Sequence, residues 1–150
     1  MGNQSSPHRT DNARRLNARA YVYSHILLPT DGSALSERAI GEGIKFARSI
    51  NAKVTGFFAA PDPGTDYFFQ DWRSSNPKRS RLDLDQMSKK RTERILSVIE
   101  ERAREAGIAY DCFSMVTDSP HDAIIQTATD RGCDLIFMAS HGQRGFSALL

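Results

Sequence analysis

The sequence predicts an α/β fold, an open and mostly parallel sheet with helices on both faces. Three observations carry that expectation. Four short apolar runs, His25–Thr30, Lys53–Ala60, Ile108–Thr117 and Leu135–Ala139, read as strands buried on both sides, as parallel strands are. Segments with helical spacing separate these runs, so strand and helix alternate along the chain. Finally, 150 residues with 39% hydrophobic and 25% charged side chains are enough for one globular domain with its own core.

Taken in order, residues 1–21 are rich in Asn, Ser and Arg without periodicity and read as a disordered basic tail, leaving 22–150 as the domain. The first strand closes at Asp31-Gly32-Ser33, a turn whose Ser33 suits the N-cap of a helix, with Glu37 in the first turn. Leu35, Ala39, Ile40, Gly43, Phe46, Ala47 and Ile50 then follow helical spacing, and Asn51-Ala52 marks the exit. The second strand ends at Pro61-Asp62-Pro63-Gly64. Residues 61–81 read as a long polar connection with an aromatic knot of Tyr67, Phe68, Phe69 and Trp72, suited either to packing under its own loop or to covering a ligand or partner.

Leu84, Met87, Ile95, Val98, Ile99, Ala103 and Ala106 line one face of a long charged helix that stops at Gly107. After the third strand, Ser119-Pro120-His121-Asp122 starts a helix with Ser at the N-cap and Pro at the first helical position. Its apolar stripe is Ile124, Ile125 and Ala128, and Gly132 ends it. The fourth strand empties into Ser140-His141-Gly142-Gln143-Arg144-Gly145, and apolar residues resume at Phe146 as the start of a further helix. A strand, a glycine-containing turn and a helix start are the parts of an anion site in a parallel sheet.

Charge and cysteine usage exclude several function classes. The net charge of +2 arises in the tail, where Arg9, Arg14, Arg15 and Arg19 outweigh Asp11; the remainder is close to neutral and argues against nucleic acid as a partner. No apolar run approaches the length of a membrane span, and no secretory signal is visible, so no membrane association and a cytoplasmic location are expected. Cys112 and Cys133 lack CxxC spacing and read as buried free thiols rather than zinc ligands or a redox pair. His141 has no partner motif and Ser140 lies outside any Gly-x-Ser-x-Gly elbow, so no catalytic residue and no metal site is expected.

Ligands in such sheets bind beyond the carboxyl ends of the strands, where the strand order reverses. Two strand ends carry suitable turns, Thr30-Asp31-Gly32-Ser33 and Ser140-His141-Gly142, and they flank one crevice if the first and fourth strands are neighbours. Asp31 there either holds a ligand or forms an Asx turn. Gly142 and Gly145 either cradle a phosphate or simply make a tight turn.

Four blocks together resemble the universal stress protein family: His25-Ile-Leu-Leu-Pro-Thr-Asp-Gly-Ser33, Lys53-Val-Thr-Gly-Phe-Phe-Ala-Ala60, Asp118-Ser-Pro-His-Asp-Ala-Ile-Ile125 and Cys133-Asp-Leu-Ile-Phe-Met-Ala-Ser-His-Gly142. The resemblance covers about residues 22–150. It implies a Rossmann-like sheet of strand order 3-2-1-4-5, with the fifth strand missing from this sequence. It also implies a homodimer, here impaired by that missing strand, a role in stress survival and, in one branch of the family, binding of ATP with Mg²⁺. In that branch the phosphate motif is Gly, two residues, Gly, nine residues, then Gly followed by Ser or Thr. Here its first glycine falls on Ala139 and its second on Gly142, and its third would fall beyond Leu150.

By the same resemblance, Asp31 lies near adenine and ribose and Ala59 meets the adenine edge. The candidate nucleotide-binding residues are therefore Thr30, Asp31, Ala59, Met138, Ala139, Ser140, His141, Gly142 and Gly145. Asp31-Gly32-Ser33-Ala34 stands where an adenine-nucleotide α-hydrolase would need Ser-Gly-Gly, which disfavours an enzyme of that group. The expected function is a non-enzymatic stress-response protein with weak or absent adenine-nucleotide binding. The alternative is an ATP-binding member in which nucleotide regulates dimerisation, with slow hydrolysis.

Overall fold

The apolar runs at His25–Thr30 and Lys53–Ala60 become strands buried on both faces, whereas those at Tyr110–Val116 and Leu135–Ile136, expected to be buried likewise, are partly exposed. The computed structural model describes residues 23–75 and 80–140, and within them lie β1 (His25–Thr30), α1 (Ala34–Ser49), β2 (Lys53–Ala60), α2 (Tyr67–Ser75), α3 (Arg81–Ala106), β3 (Tyr110–Val116), α4 (Pro120–Asp130) and β4 (Leu135–Ile136). The sheet order is β3-β2-β1-β4, with every pairing parallel. The expected basic tail, the turn and helix after Ser140, and any fifth strand lie outside the described residues.

All six residues of β1 are buried. Ile26 and Leu28 join Ile40, Ile44, Val54, Ile99 and Ala103 in a core under α1 and α3. Leu27, on the opposite face, joins Phe57, Ala123 and Ala128 under α4. This two-sided burial is the physical content of the unbroken apolar runs.

The helix ends follow the sequence signals at Ser33 and Gly107 and depart from them at Ser119, and the start of α3 adds a cap that was not read from the sequence. The Ser33 side chain accepts the Ser36 N–H and caps α1. Ser80 and Asp83 form a reciprocal capping box on α3, and Gly107 closes that helix at φ 69°. Ser119 stands at the N-cap of α4 but makes no side-chain cap bond. Its N–H instead donates to Thr117 Oγ1 at 3.0 Å, so Pro120 and Asp122 carry the start signal.

Several expectations are corrected. Residues 67–75 are helical rather than loop, initiated by the Asp62 turn and by Asp66, whose carbonyl accepts from Phe69 and Gln70. Within the aromatic knot, Phe69 is 1% exposed beneath the Arg91 guanidinium, which also pairs with Asp66 at 3.0 Å, whereas Tyr67 is exposed. On α1, Leu35 is exposed and Ile44 takes its place in the core. On α4, Ala123, Thr127 and Ala128 face the sheet, and Ile125, about 200° around the helix from Ala123, is exposed. Cys112 and Cys133 are both free but half-buried rather than buried.

Strand β4 is shorter than the apolar run Leu135–Ala139. Its register sets Leu27 opposite Ile136, and the Phe137 N–H donates to the Leu27 carbonyl at 2.9 Å. The next bond of this ladder would come from the N–H of residue 29, and Pro29 has none. The ladder stops there, and beyond it β1 and β4 border a crevice.

Candidate functional site

That crevice, about 290 Å³, opens at the carboxyl ends of β1, β2 and β4, with Pro29, Thr30 and Asp31 on one side and Met138, Ala139 and Ser140 on the other. Phe57 and Ala59 form its floor, and Pro120 and Ile124 of α4 its far wall. It lies where the strand order reverses, since β1 leads through α1 to β2 on one side and is flanked by β4 on the other.

The β1–α1 turn is held by its own polar groups. Gly32 takes φ 74°, a conformation natural to glycine, and its N–H donates to Thr30 Oγ1 at 3.1 Å. Asp31 Oδ1 accepts the Ser33 N–H at 2.9 Å, forming the Asx turn that was one of its two readings. Ser36 Oγ donates to the Ser33 carbonyl and lies 3.1 Å from Thr30 Oγ1, so the Thr30 hydroxyl donates to Ser36 and accepts from Gly32. The network fixes the turn and presents its edge to the crevice.

Of the nine sequence-predicted site residues, Thr30, Asp31, Ala59, Met138, Ala139 and Ser140 line this one crevice. His141, Gly142 and Gly145 lie outside the described residues. Among the described non-glycine residues only Asn51 has positive φ, so the methyl of Ala139 sits on unstrained backbone and matters through the space it fills. Sequence reasoning missed Pro29, Ser36, Phe57, Pro120 and Ile124. Phe57 was legible as the i−2 neighbour of Ala59 on the same strand face. Ile124 lies four residues after Pro120 on one face of α4.

At the opposite end of the strands a second polar cluster is structural. Asp134 accepts from the Ser24 N–H, the Ser24 hydroxyl and the His25 N–H at 2.8–3.0 Å. Burial pushes its carboxyl up, but these hydrogen bonds outweigh that and hold it below the usual carboxylate range. His25 is buried, with Nε2 2.8 Å from Thr55 Oγ1 and 3.5 Å from Cys133 Sγ; burial, then the Lys53 charge, lowers its pKa. Burial likewise raises the Cys133 thiol, so the pair is a neutral imidazole beside a neutral thiol. Among the described residues no group of three His, Cys, Asp or Glu side chains could hold a metal ion, and no helix is long and apolar enough to cross a membrane.

Comparison with known proteins gives a consistent result. Residues 23–150 match the model of the universal stress protein family. Universal stress protein MJ0531 of Methanocaldococcus jannaschii is 25% identical over 133 residues, which cover 86% of this chain and 71% of that protein. Among solved structures, a universal stress protein in complex with cAMP superposes with a TM-score of 0.56 at 22% identity, covering 84% of this chain and 79% of that one. An Arabidopsis thaliana family member with AMP bound gives 0.55 at 15% identity, covering 83% and 82%.

Proposed function

The chain belongs to the universal stress protein family, and from that premise we propose that it is a non-enzymatic stress-response protein whose β1–β4 crevice binds an adenine nucleotide weakly. One observation carries this reading: six residues singled out from distant parts of the sequence converge on a single crevice at the topological switch point. Its mostly apolar floor suits the faces of a purine ring, and Asp31 stands at the rim to meet ribose hydroxyls or an adenine edge. The AMP- and cAMP-bound relatives of the same fold support an adenine ligand.

Ala139 supports weakness. Its methyl occupies the position where the family's phosphate motif has glycine, which keeps backbone and phosphate apart. The absence of turnover is supported by the hydroxyls of Thr30 and Ser36, which are engaged in the turn network.

Titration calorimetry with AMP, cAMP and ATP–Mg²⁺ tests the reading. Saturable binding in the high-micromolar to millimolar range without phosphate release is expected, and Ala139→Gly is expected to tighten it about tenfold, or about 1.4 kcal/mol. No binding of any of the three at millimolar concentration refutes the nucleotide part of the proposal. Turnover matched to binding refutes the non-enzymatic part.

A further inference from the structure

The far edge of the sheet is built to receive another strand. β3 is the terminal strand on that side, and no element lies beyond it among the described residues. Val54 N–H donates to the Ala109 carbonyl and Thr117 N–H to the Ala60 carbonyl, so the odd-numbered residues of β3 turn their backbone toward β2. The even-numbered residues turn theirs outward. The Cys112 N–H is taken by Asp111 Oδ1 at 2.9 Å, which leaves the N–H groups of Ser114 and Val116 facing out.

Edge strands are commonly protected by Pro, Lys or a bulge. β3, Tyr-Asp-Cys-Phe-Ser-Met-Val, has neither Pro nor Lys and pairs with β2 in continuous register. Its single charge, Asp111, is tied to Arg131 at 2.8 Å.

Beside this edge runs a groove of about 550 Å³ between β3 and α3. Cys112, Ser114 and Val116 line its strand side, and Asp85, Glu93 and Glu100 its helix side. Asp85 to Glu100 spans about 22 Å of helix, the length of about seven extended residues, as many as β3 contains. Lys89 is the one cation in the groove, loosely paired with Glu93 at 4.0 Å, so carboxylates outnumber ammonium three to one. The negative field reaches the strand: after burial, Glu100 is the largest cause of the raised Cys112 pKa.

We propose that the β3 edge and this groove form a docking site for an extended basic peptide segment of a partner protein, added to the sheet as a strand. The outward amides and carbonyls of β3 supply sequence-independent hydrogen bonds, and alternate side chains of the peptide reach the α3 carboxylates. Lys or Arg at every second or fourth position of the peptide matches the groove. The site is distinct from the crevice, which lies on the β1–β4 side of the sheet.

The probe is a synthetic seven-residue peptide alternating arginine and valine, titrated against the full chain, with a glutamate-for-arginine peptide as control. Saturable binding is expected, with slowed hydrogen exchange at the Ser114 and Val116 amides and an affinity that falls about tenfold from low to high salt. The double variant Glu93→Gln/Glu100→Gln, its fold verified by circular dichroism, is expected to bind about fivefold more weakly. Equal binding of the acidic peptide, equal binding by the double variant, or unchanged exchange at Ser114 and Val116 overturns the proposal. So does protection of those amides in the free chain, which would mean that the chain itself or a second copy already covers the edge.

Discussion

Gly56 lies mid-way along β2, opposite Cys112 of β3 and against Ile99 of α3. A Cβ at this position would stand 2.8 Å from Ile99 Cδ1, 2.9 Å from Cys112 Sγ and 3.1 Å from Ile99 Cγ2. Ile99 is 0% exposed, so its side chain has no free volume to retreat into. Gly56→Ala therefore overpacks the core at a cost of about 1–3 kcal/mol. Restricting the unfolded chain returns about 0.5–1 kcal/mol, for a net loss centred on about 1 kcal/mol and at most about 2.5 kcal/mol. In a domain of this size that lowers Tm by about 3–8 °C.

A paired variant separates this cause from others. Ile99→Val deletes Cδ1, the atom in closest conflict, and alone is expected to cost about 1 kcal/mol. In the Gly56→Ala background the same change removes the closest of these contacts and leaves Cys112 Sγ at 2.9 Å, so the two are non-additive by about 1 kcal/mol. Urea unfolding of the four proteins, with m-values compared to confirm a common transition, measures the coupling. A neutral or stabilising Gly56→Ala, or strict additivity of the pair, refutes the packing argument.

Other expectations follow from the polar groups. Asp134, hydrogen-bonded to Ser24 and His25, has a folded pKa below its unfolded value, so its contribution is present above about pH 4 and is lost as pH falls through the folded pKa. Asp134→Asn is expected to destabilise by about 1 kcal/mol at neutral pH, discounted for exposure, and the gap to wild type should close in acid; a gap independent of pH speaks against this. The Cys112 thiol, pushed up to about 12 by burial and then by Glu100, should react with a disulfide reagent at pH 8 roughly a thousandfold more slowly than a free cysteine in a Cys133→Ser background. Glu100→Gln should speed that reaction, and ordinary reactivity at Cys112 would show the thiol to be unshielded. Ser80→Ala removes one half of the α3 capping box and is expected to cost about 1 kcal/mol in urea unfolding; no loss would mean that this helix end is held by other contacts.

The strands of the sheet and the long helices were legible because their signals are local: apolar runs, Ser33 as a cap, Gly107 and Gly132 at the helix ends. The family blocks placed the crevice, since they specify which strand ends meet. What escaped depended on tertiary partners. The helix at 67–75 is anchored by Phe69 against Arg91, a residue more than 20 positions away. Ile125 was read as core from its side chain, although the face of α4 that meets the sheet is set by the small residues Ala123, Thr127 and Ala128. The early end of β4 was written in the other strand of the pair, at Pro29, and no reading of residues 135–139 alone could show it.

Residue-resolved titration with AMP, followed by backbone amide shifts of the full chain, tests most directly that the β1–β4 crevice is the ligand site. The account expects saturable shifts confined to Asp31–Ser33, Ala59 and Met138–Ser140, with those at Ser114 and Val116 unmoved and the whole response weakened by Asp31→Ala. Shifts centred elsewhere, or none at millimolar AMP, would contradict it.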